Sequence, residues 1–277
     1  MRDELGDRMK KNYENRTRIL LPRRTYTMIR IDGKAFHTYT RGLLQPFDGG
    51  LITDMNSTAE YLCKNIQGAK IGFVQSDEIS ILMTDFDKLD TDAWFDGNIQ
   101  KIVSVAASNA ASKFNQLRYL RYIKERWNNG MGVTTITHRW LELFEEFKLA
   151  DFDARTFTIP SLTEVCNYFI WRQQDTVRNS ISSVAQSFYS SKELTGKNMS
   201  QQQDMIHEKG ANWNDFDPML KRGRFVFKKE VDMETEFKSV ELQQKSYKRN
   251  VWVTEECPTF TQDQEFLLGF IPNIDEV

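Results

Sequence analysis

The chain has 277 residues, 40% of them hydrophobic and 27% charged, values that suit a soluble globular protein with a full core and exclude a disordered or fibrous one. With 37 Lys and Arg against 39 Asp and Glu the formal charge is −2, so a nucleic-acid partner would have to be held by local basic patches and not by the overall field. Cys63, Cys166 and Cys257 are dispersed and odd in number, which excludes a disulfide framework and a thiolate zinc site. The charged run 1–16 has no apolar core of the signal-peptide kind, and no stretch is long enough to span a bilayer, so a cytoplasmic protein without membrane contact is expected.

In chain order, Tyr26 to Asp32 alternates as a strand and ends in Asp-Gly, which places Asp32 at the strand's C-terminal end. From Ile52 the apolar residues Met55, Ala59, Leu62, Cys63 and Ile66 follow helical spacing, with Gly68 as a stop. Two short β-rich runs, Lys70 to Gln75 and Ile79 to Thr84, are separated only by Ser76, Asp77 and Glu78, which predicts a tight hairpin with carboxylates at its tip. An Asp-rich connection from Asp85 to Asp96 reads as solvated, and a long helical stripe runs from Ile99 to Phe114. Phe152 to Ile159 reads as a strand ended by Pro160, and Ser161 with Glu164 has the capping-box pattern of a helix start. That helix carries Cys166, Ile170, Val177, Ile181, Val184 and Phe188 on one face and Arg172, Asp175, Asn179, Ser182 and Gln186 on the other. From Arg224 the pattern alternates as β-hairpins, beside the basic cluster Lys221, Arg222, Arg224, Lys228 and Lys229.

The order strand, helix, hairpin, helix, strand predicts an α+β fold, a palm-like (ferredoxin-like) antiparallel sheet with helices on one face, extended by a long helix and C-terminal β-hairpins. Residues 1–160 would form the catalytic domain and 161–277 an extension packed on it as one unit. Such a sheet can bring Asp32 beside Asp77, and hard carboxylate oxygens there would suit Mg²⁺, which takes few protein ligands and leaves positions for substrate phosphates. A pair of ions about 3.5–4 Å apart would serve in-line phosphoryl displacement. Periodicity alone leaves open that Asp-Gly is a plain turn and Asp77-Glu78 a solvated hairpin tip.

The segment from Ile29 to His37, followed by Pro46-Phe47-Asp48 and by Gln75 to Glu78, resembles the paired signature of the histidine-tRNA guanylyltransferase-like family. Collinear matches follow at Leu5 to Met9, Phe152 to Arg155, Trp171 to Asp175, Asn179, Asn212 with Asn214, and Lys221 to Gly223. The resemblance implies a nucleotidyltransferase that adds nucleotides to the 5′ end of tRNA in the 3′-to-5′ direction, with two Mg²⁺ ions as cofactors and ATP or GTP as substrates. It implies Asp32, Asp77 and the Gly33 carbonyl as metal ligands, with Glu78 counted in the catalytic set as support. It further implies that Gly33, Lys34, Ala35, Phe36 and His37 wrap a triphosphate with backbone N–H groups, that Ser76 lies at the same nucleotide, and that Arg172, Asn179, Lys221 and Arg222 touch RNA. By general habit a single His beside Phe36 packs and hydrogen-bonds, which competes with a nucleotide role for His37. Members of the family assemble as tetramers.

The eukaryotic pattern is lost at Val177 to Ser183, where only Asn179 is kept, and at Gln45 and Gln201. These departures resemble the bacterial and archaeal proteins that repair 5′-truncated tRNA by template pairing. His37, His138 and His207 are too dispersed for a zinc motif. Arg118, Arg121, Lys124 and Arg126, interleaved with Tyr119 and Tyr122, read equally as an RNA contact or a solvated helix face. Two rivals remain: a palm-type nucleotide cyclase or diguanylate synthase, which would need no RNA, and a catalytically silent tRNA-binding protein.

Overall fold

The computed structural model describes residues 3–128, 142–234 and 246–276; His138 lies outside them. A six-stranded antiparallel sheet has the order β4-β1-β3-β2-β5-β6, formed by β1 (Tyr26–Gly33), β2 (Ala69–Gln75), β3 (Glu78–Met83), β4 (Phe152–Ile159), β5 (Arg224–Glu234) and β6 (Ser246–Glu255). Strands β1 to β4, with helices α3 (Gly49–Asn65) and α4 (Ile99–Asn128) between them, make the ferredoxin-like unit. A short helix α2 (Phe36–Tyr39) follows β1, and α1 (Glu4–Asn12) precedes it. Because β2 also pairs with β5, the sheet continues through the expected boundary at residue 160.

Both faces of the central strands are covered, which is why their runs are apolar on both sides. Ile29, Ile31, Val74, Ile79 and Ile81 face α3 and α4 and pack on Met55, Leu62, Ile102 and Phe114. Tyr26, Met28, Phe73 and Leu82 point the other way, onto the long helix α5 (Leu162–Gln186) and the C-terminal segment through Val165, Phe169, Phe260 and Leu267. The second half of α5 packs through Ile181, Val184 and Ala185 on Ile206 of α6 (Met199–Glu208). Ser161 caps α5 as expected, its hydroxyl accepting from the Glu164 amide at 3.3 Å, while the Glu164 carboxylate turns to Asn167 instead of closing a capping box. Among the described residues no helix is long and apolar enough to cross a membrane.

Two expectations change. The Asp85 to Asp96 connection is pinned and not solvated throughout: Asp85 is buried and accepts from Arg23 Nε at 2.7 Å and the Arg24 amide at 2.8 Å, and Asp87 pairs with Lys70. On α5, Val177 is half-buried whereas Arg172, Gln173 and Thr176 are buried, and Phe188 lies exposed just beyond the helix end. The helix crosses a part of the sheet that is itself polar, so its polar stripe packs inward there.

Candidate active site

The strand alternation that buries Tyr26 and Met28 under α5 also turns Arg30 and Asp32 to the same side. In register, Asp32 lies opposite Glu78 on β3 and Asp153 on β4, and Arg30 lies opposite Ser80, so the end of the sheet presents a polar face to α5. The β2–β3 connection is a tight turn through Ser76 and Asp77, with Gln75 and Glu78 paired across it. Ser76 takes the left-handed conformation, φ 44°, which a non-glycine residue adopts at a cost. The Gly33 amide donates to the Asp77 carbonyl at 3.1 Å, tying the end of β1 to the hairpin tip and holding Asp32 and Asp77 at one place.

They share a cleft of ≈ 430 Å³ lined by Arg30, Asp32, Ser76, Asp77, Trp171 and Asp175 among others. Burial pushes the Asp77 carboxyl up to about 6; a hydrogen bond from Ser76 opposes this, and the charges of Asp32 and Glu78 add to it. Among the described residues Asp32 has one distant cation, Arg155 Nη2 at 4.0 Å, which stands closer to Asp153 at 3.2 Å. Glu78 is differently placed. It is buried, and Arg172 grips it with two bonds, Nε to Oε1 at 2.8 Å and Nη2 to Oε2 at 2.7 Å, while Nη2 also reaches Asp175 at 2.9 Å. Such a fork-on-fork pair is strong and geometrically specific. It makes Glu78 a buried brace behind Asp77, and it corrects the expectation that Arg172 offers its guanidinium to RNA.

The turn after β1 also differs from expectation. The Gly33 amide is committed to Asp77 and the Lys34 amide to the Asp151 carbonyl at 2.9 Å, so neither is free to bind phosphate. Ala35, at φ 54°, leads into α2, and no hydrogen bond from the Ala35, Phe36 or His37 amide to the chain is seen among the described residues. The Phe36 side chain is an anchor, packed among Tyr39, Phe114 and Phe152 with ring centroids 4.9–5.7 Å apart. His37 is exposed and not packed; it lines a neighbouring cavity of ≈ 450 Å³ with Arg41, Gln45 and Ser76.

Asn179 is exposed at the cleft and donates to Asp175 at 3.4 Å. Lys221 does not join it: Lys221 is buried, its Nζ donating to the Asn214 carbonyl at 2.5 Å and lying 5.3 Å from the Trp213 ring. Arg222 is half-buried and Arg224 buried, so the basic run 221–224 is not a continuous surface patch. Arg118 and Arg121 both bind buried Asp54, at 3.3 and 2.8 Å, and Arg126 stacks on Tyr122 at 3.6 Å, which removes them as a free RNA-facing row.

Sequence reasoning gave no role to Arg30 or Trp171, although both lie within the matched motifs. Trp171 is 46% exposed at the cleft mouth, with the guanidinium carbons of Arg172 and Arg30 at 4.4 and 5.9 Å from its ring. A charged residue interrupting the apolar Tyr26–Met28 face of a central strand was the signal that could have revealed Arg30.

Three comparisons bear on this geometry. The family model for tRNAHis guanylyltransferase (Thg1) matches residues 6–160. Protein R259 of Acanthamoeba polyphaga mimivirus is 27% identical over 242 residues, 83% of this chain and 78% of the relative. The tRNA(His) guanylyltransferase of Saccharomyces cerevisiae is 26% identical over 227 residues, 76% of this chain and 85% of the relative. A solved bacterial tRNA(His) guanylyltransferase (Thg1)-like protein in complex with ATP superposes with a TM-score of 0.75 at 40% identity, covering 97% of this chain and 99% of that one. A structure of the same description in complex with GTP gives 0.72 at 40% identity, with the same coverage. The chain belongs to the tRNAHis guanylyltransferase (Thg1) family.

Proposed function

We propose that this protein is a Mg²⁺-dependent nucleotidyltransferase that adds nucleotides to the 5′ end of tRNA in the 3′-to-5′ direction, choosing them by pairing with the opposite strand of the acceptor stem. The observation that carries the reading is the placement of Asp32 and Asp77 side by side at the end of the sheet, the Gly33 amide bonded to the Asp77 carbonyl at 3.1 Å, in one open cleft. The bacterial neighbours with bound ATP and GTP support a nucleoside triphosphate as substrate.

The donor set fits Mg²⁺. Among the described residues no group of three or more His, Cys, Asp or Glu side chains could hold a metal, which disfavours a closed protein cage. Two carboxylates and the Gly33 carbonyl are what an ion needs that keeps water and takes up substrate phosphates. When bound, two such ions supply charge neutralisation at the attacking and leaving oxygens. The chain's own contribution is positioning. Asp32 and Asp77 supply anionic oxygens, the Arg172–Glu78 pair braces the hairpin, Ser76 hydrogen-bonds Asp77, and the turn 35–37 presents amides to phosphate. The tRNA 5′ phosphate is activated, by adenylylation or because it bears a triphosphate, and the 3′-OH of the incoming nucleotide attacks it as AMP or pyrophosphate leaves. Assembly as a homotetramer in the cytoplasm belongs to the same reading.

The test is incubation with tRNAs lacking one 5′ nucleotide, varying the template base opposite the vacancy and sequencing the product ends. Incorporation should follow the template across several tRNAs. Guanosine added whatever the template, and only to histidine tRNA, would overturn the templated-repair reading.

A further inference from the structure

A second cavity, of ≈ 400 Å³, adjoins the carboxylate cleft and shares Trp171 with it. It lies at the edge of the sheet, where β4 has no outer neighbour, between Thr158 and Pro160 at the end of that strand and the α5 residues Glu164, Asn167, Tyr168 and Trp171. Those four are spaced to share one face of the helix. Trp171 is half-exposed, yet its ring is held: the Arg172 guanidinium carbon stands 4.4 Å from its centroid, and the Tyr168 ring meets it edge-on at 5.8 Å. Arg172 is itself fixed by Glu78 and Asp175, so the indole is set in a constant relation to the hairpin that carries Asp77. A part-exposed aromatic face that is already ordered is a platform for stacking.

The chemistry of the cavity points to a base and not to a phosphate. Its polar groups are those of Thr158, Asn167 and Glu164, and among the described residues its lining has no cation. A phosphate would meet the Glu164 carboxylate unopposed, whereas a neutral base brings a flat face for the indole and edge groups for the polar side chains. Position along α5 says which base. Ser183 and Gln186 line the His37 cavity, Asp175 and Asn179 the carboxylate cleft, and Glu164 to Trp171 the second cavity, in order over about 33 Å of helix. A triphosphate at the turn 35–37 therefore lies to one side of Asp32 and Asp77, and the Trp171 cavity lies to the other.

We infer that this cavity holds the first unpaired base of the strand opposite the tRNA 5′ end, the base that follows the template base, stacked on Trp171; the inference rests on the 5′-end addition reading above. The strand opposite the 5′ end runs on past the template base as a 3′ extension, and the side of the cleft away from the triphosphate is where it has room. Stacking on one aromatic ring is worth roughly five- to hundredfold in affinity, whatever the base.

The test uses acceptor-stem duplexes lacking one 5′ nucleotide, in which the opposite strand ends at the template base, continues by one nucleotide, or continues by one abasic nucleotide. Equilibrium binding with Mg²⁺ is measured for the full-length chain and for Trp171→Ala and Trp171→Phe, and nucleotide addition is followed on the same duplexes. The unaltered protein should bind the extended duplex roughly five- to hundredfold more tightly than the short one, and the abasic duplex like the short one. Trp171→Ala should bring the ratio of extended to short close to one, and Trp171→Phe should restore most of it. A purely structural role for the indole would weaken all three duplexes alike and leave the ratio where it was. Equal binding of the extended and abasic duplexes by the unaltered protein, or a folded Trp171→Ala that keeps the ratio, overturns the inference while addition to the short duplex leaves the 5′-end reading standing. Failure of the unaltered protein to bind or extend any of the duplexes overturns both.

Discussion

At the scale of single residues, Asp77 and Glu78 are adjacent carboxylates with opposite circumstances. Asp77 is pushed up to about 6, chiefly by burial, while an unfolded aspartate titrates near 3.9. The folded state therefore holds the proton more tightly, so this group's contribution to stability is full below about pH 4 and is lost as pH rises through about 6. In metal-free buffer at pH 8, Asp77→Asn should stabilise the fold by on the order of 1–2 kcal/mol after allowance for solvent screening. The same change should nearly abolish nucleotide addition, because an amide is a poor ligand for Mg²⁺. Melting curves with EDTA and turnover with Mg²⁺ check the two halves, and a variant that is both unstabilised and active removes Asp77 from the site. Glu78 is held by Arg172 through two bonds. Arg172→Met should cost about 3 kcal/mol by leaving the buried Glu78 carboxylate to Ser80 and to Arg30 Nε, 3.9 Å away, and adding Glu78→Gln should recover part of that. A denaturation cycle in which the losses merely add would show that the pair is not coupled.

Among the elements, the turn from β1 into α2 is governed by packing. A Cβ on Gly33 would stand 2.2 Å from the Phe36 ring, and Phe36 is fixed among Tyr39, Phe114 and Phe152, so the ring has nowhere to go. Gly33→Ala should destabilise by about 1–3 kcal/mol through overpacking and should slow nucleotide addition, because the clash with Phe36 shifts the end of β1 whose amide bonds to Asp77. Chemical denaturation alongside an addition assay measures both; an alanine variant of unchanged stability would mean the turn is looser than its contacts indicate. The α5 helix teaches a related point: Arg172, on the face expected to meet RNA, lies inward with Thr176 because Glu78 and Gln75 await them on the sheet.

Across the whole molecule, a net charge of −2 leaves RNA binding to a few exposed cations, and binding should weaken steeply with salt as counterions are released. Lys221 is excluded from that set by its burial, so Lys221→Gln should lower stability without changing the salt slope. Arg155, half-exposed beside Asp32, is the better candidate, and Arg155→Gln should reduce the slope by about 1. Filter binding between 50 and 200 mM salt decides between them; a slope that moves with Lys221 and not with Arg155 would reverse the assignment.

The sequence by itself determined the strand–helix–hairpin–helix–strand order, the hairpin at Ser76-Asp77, the Ser161 cap and the strand-end position of Asp32, because turn chemistry and side-chain periodicity act over neighbouring residues. The family signature offered a role for the carboxylates that periodicity left open. Only the tertiary structure decided which polar groups face each other. The Arg172–Glu78 grip joins residues 94 apart in the chain, the Gly33 and Lys34 amides are taken by Asp77 and Asp151, and the basic run 221–224 turns its Lys221 and Arg224 inward. Each depends on which element crosses the polar end of the sheet, a long-range contact that no local spacing encodes.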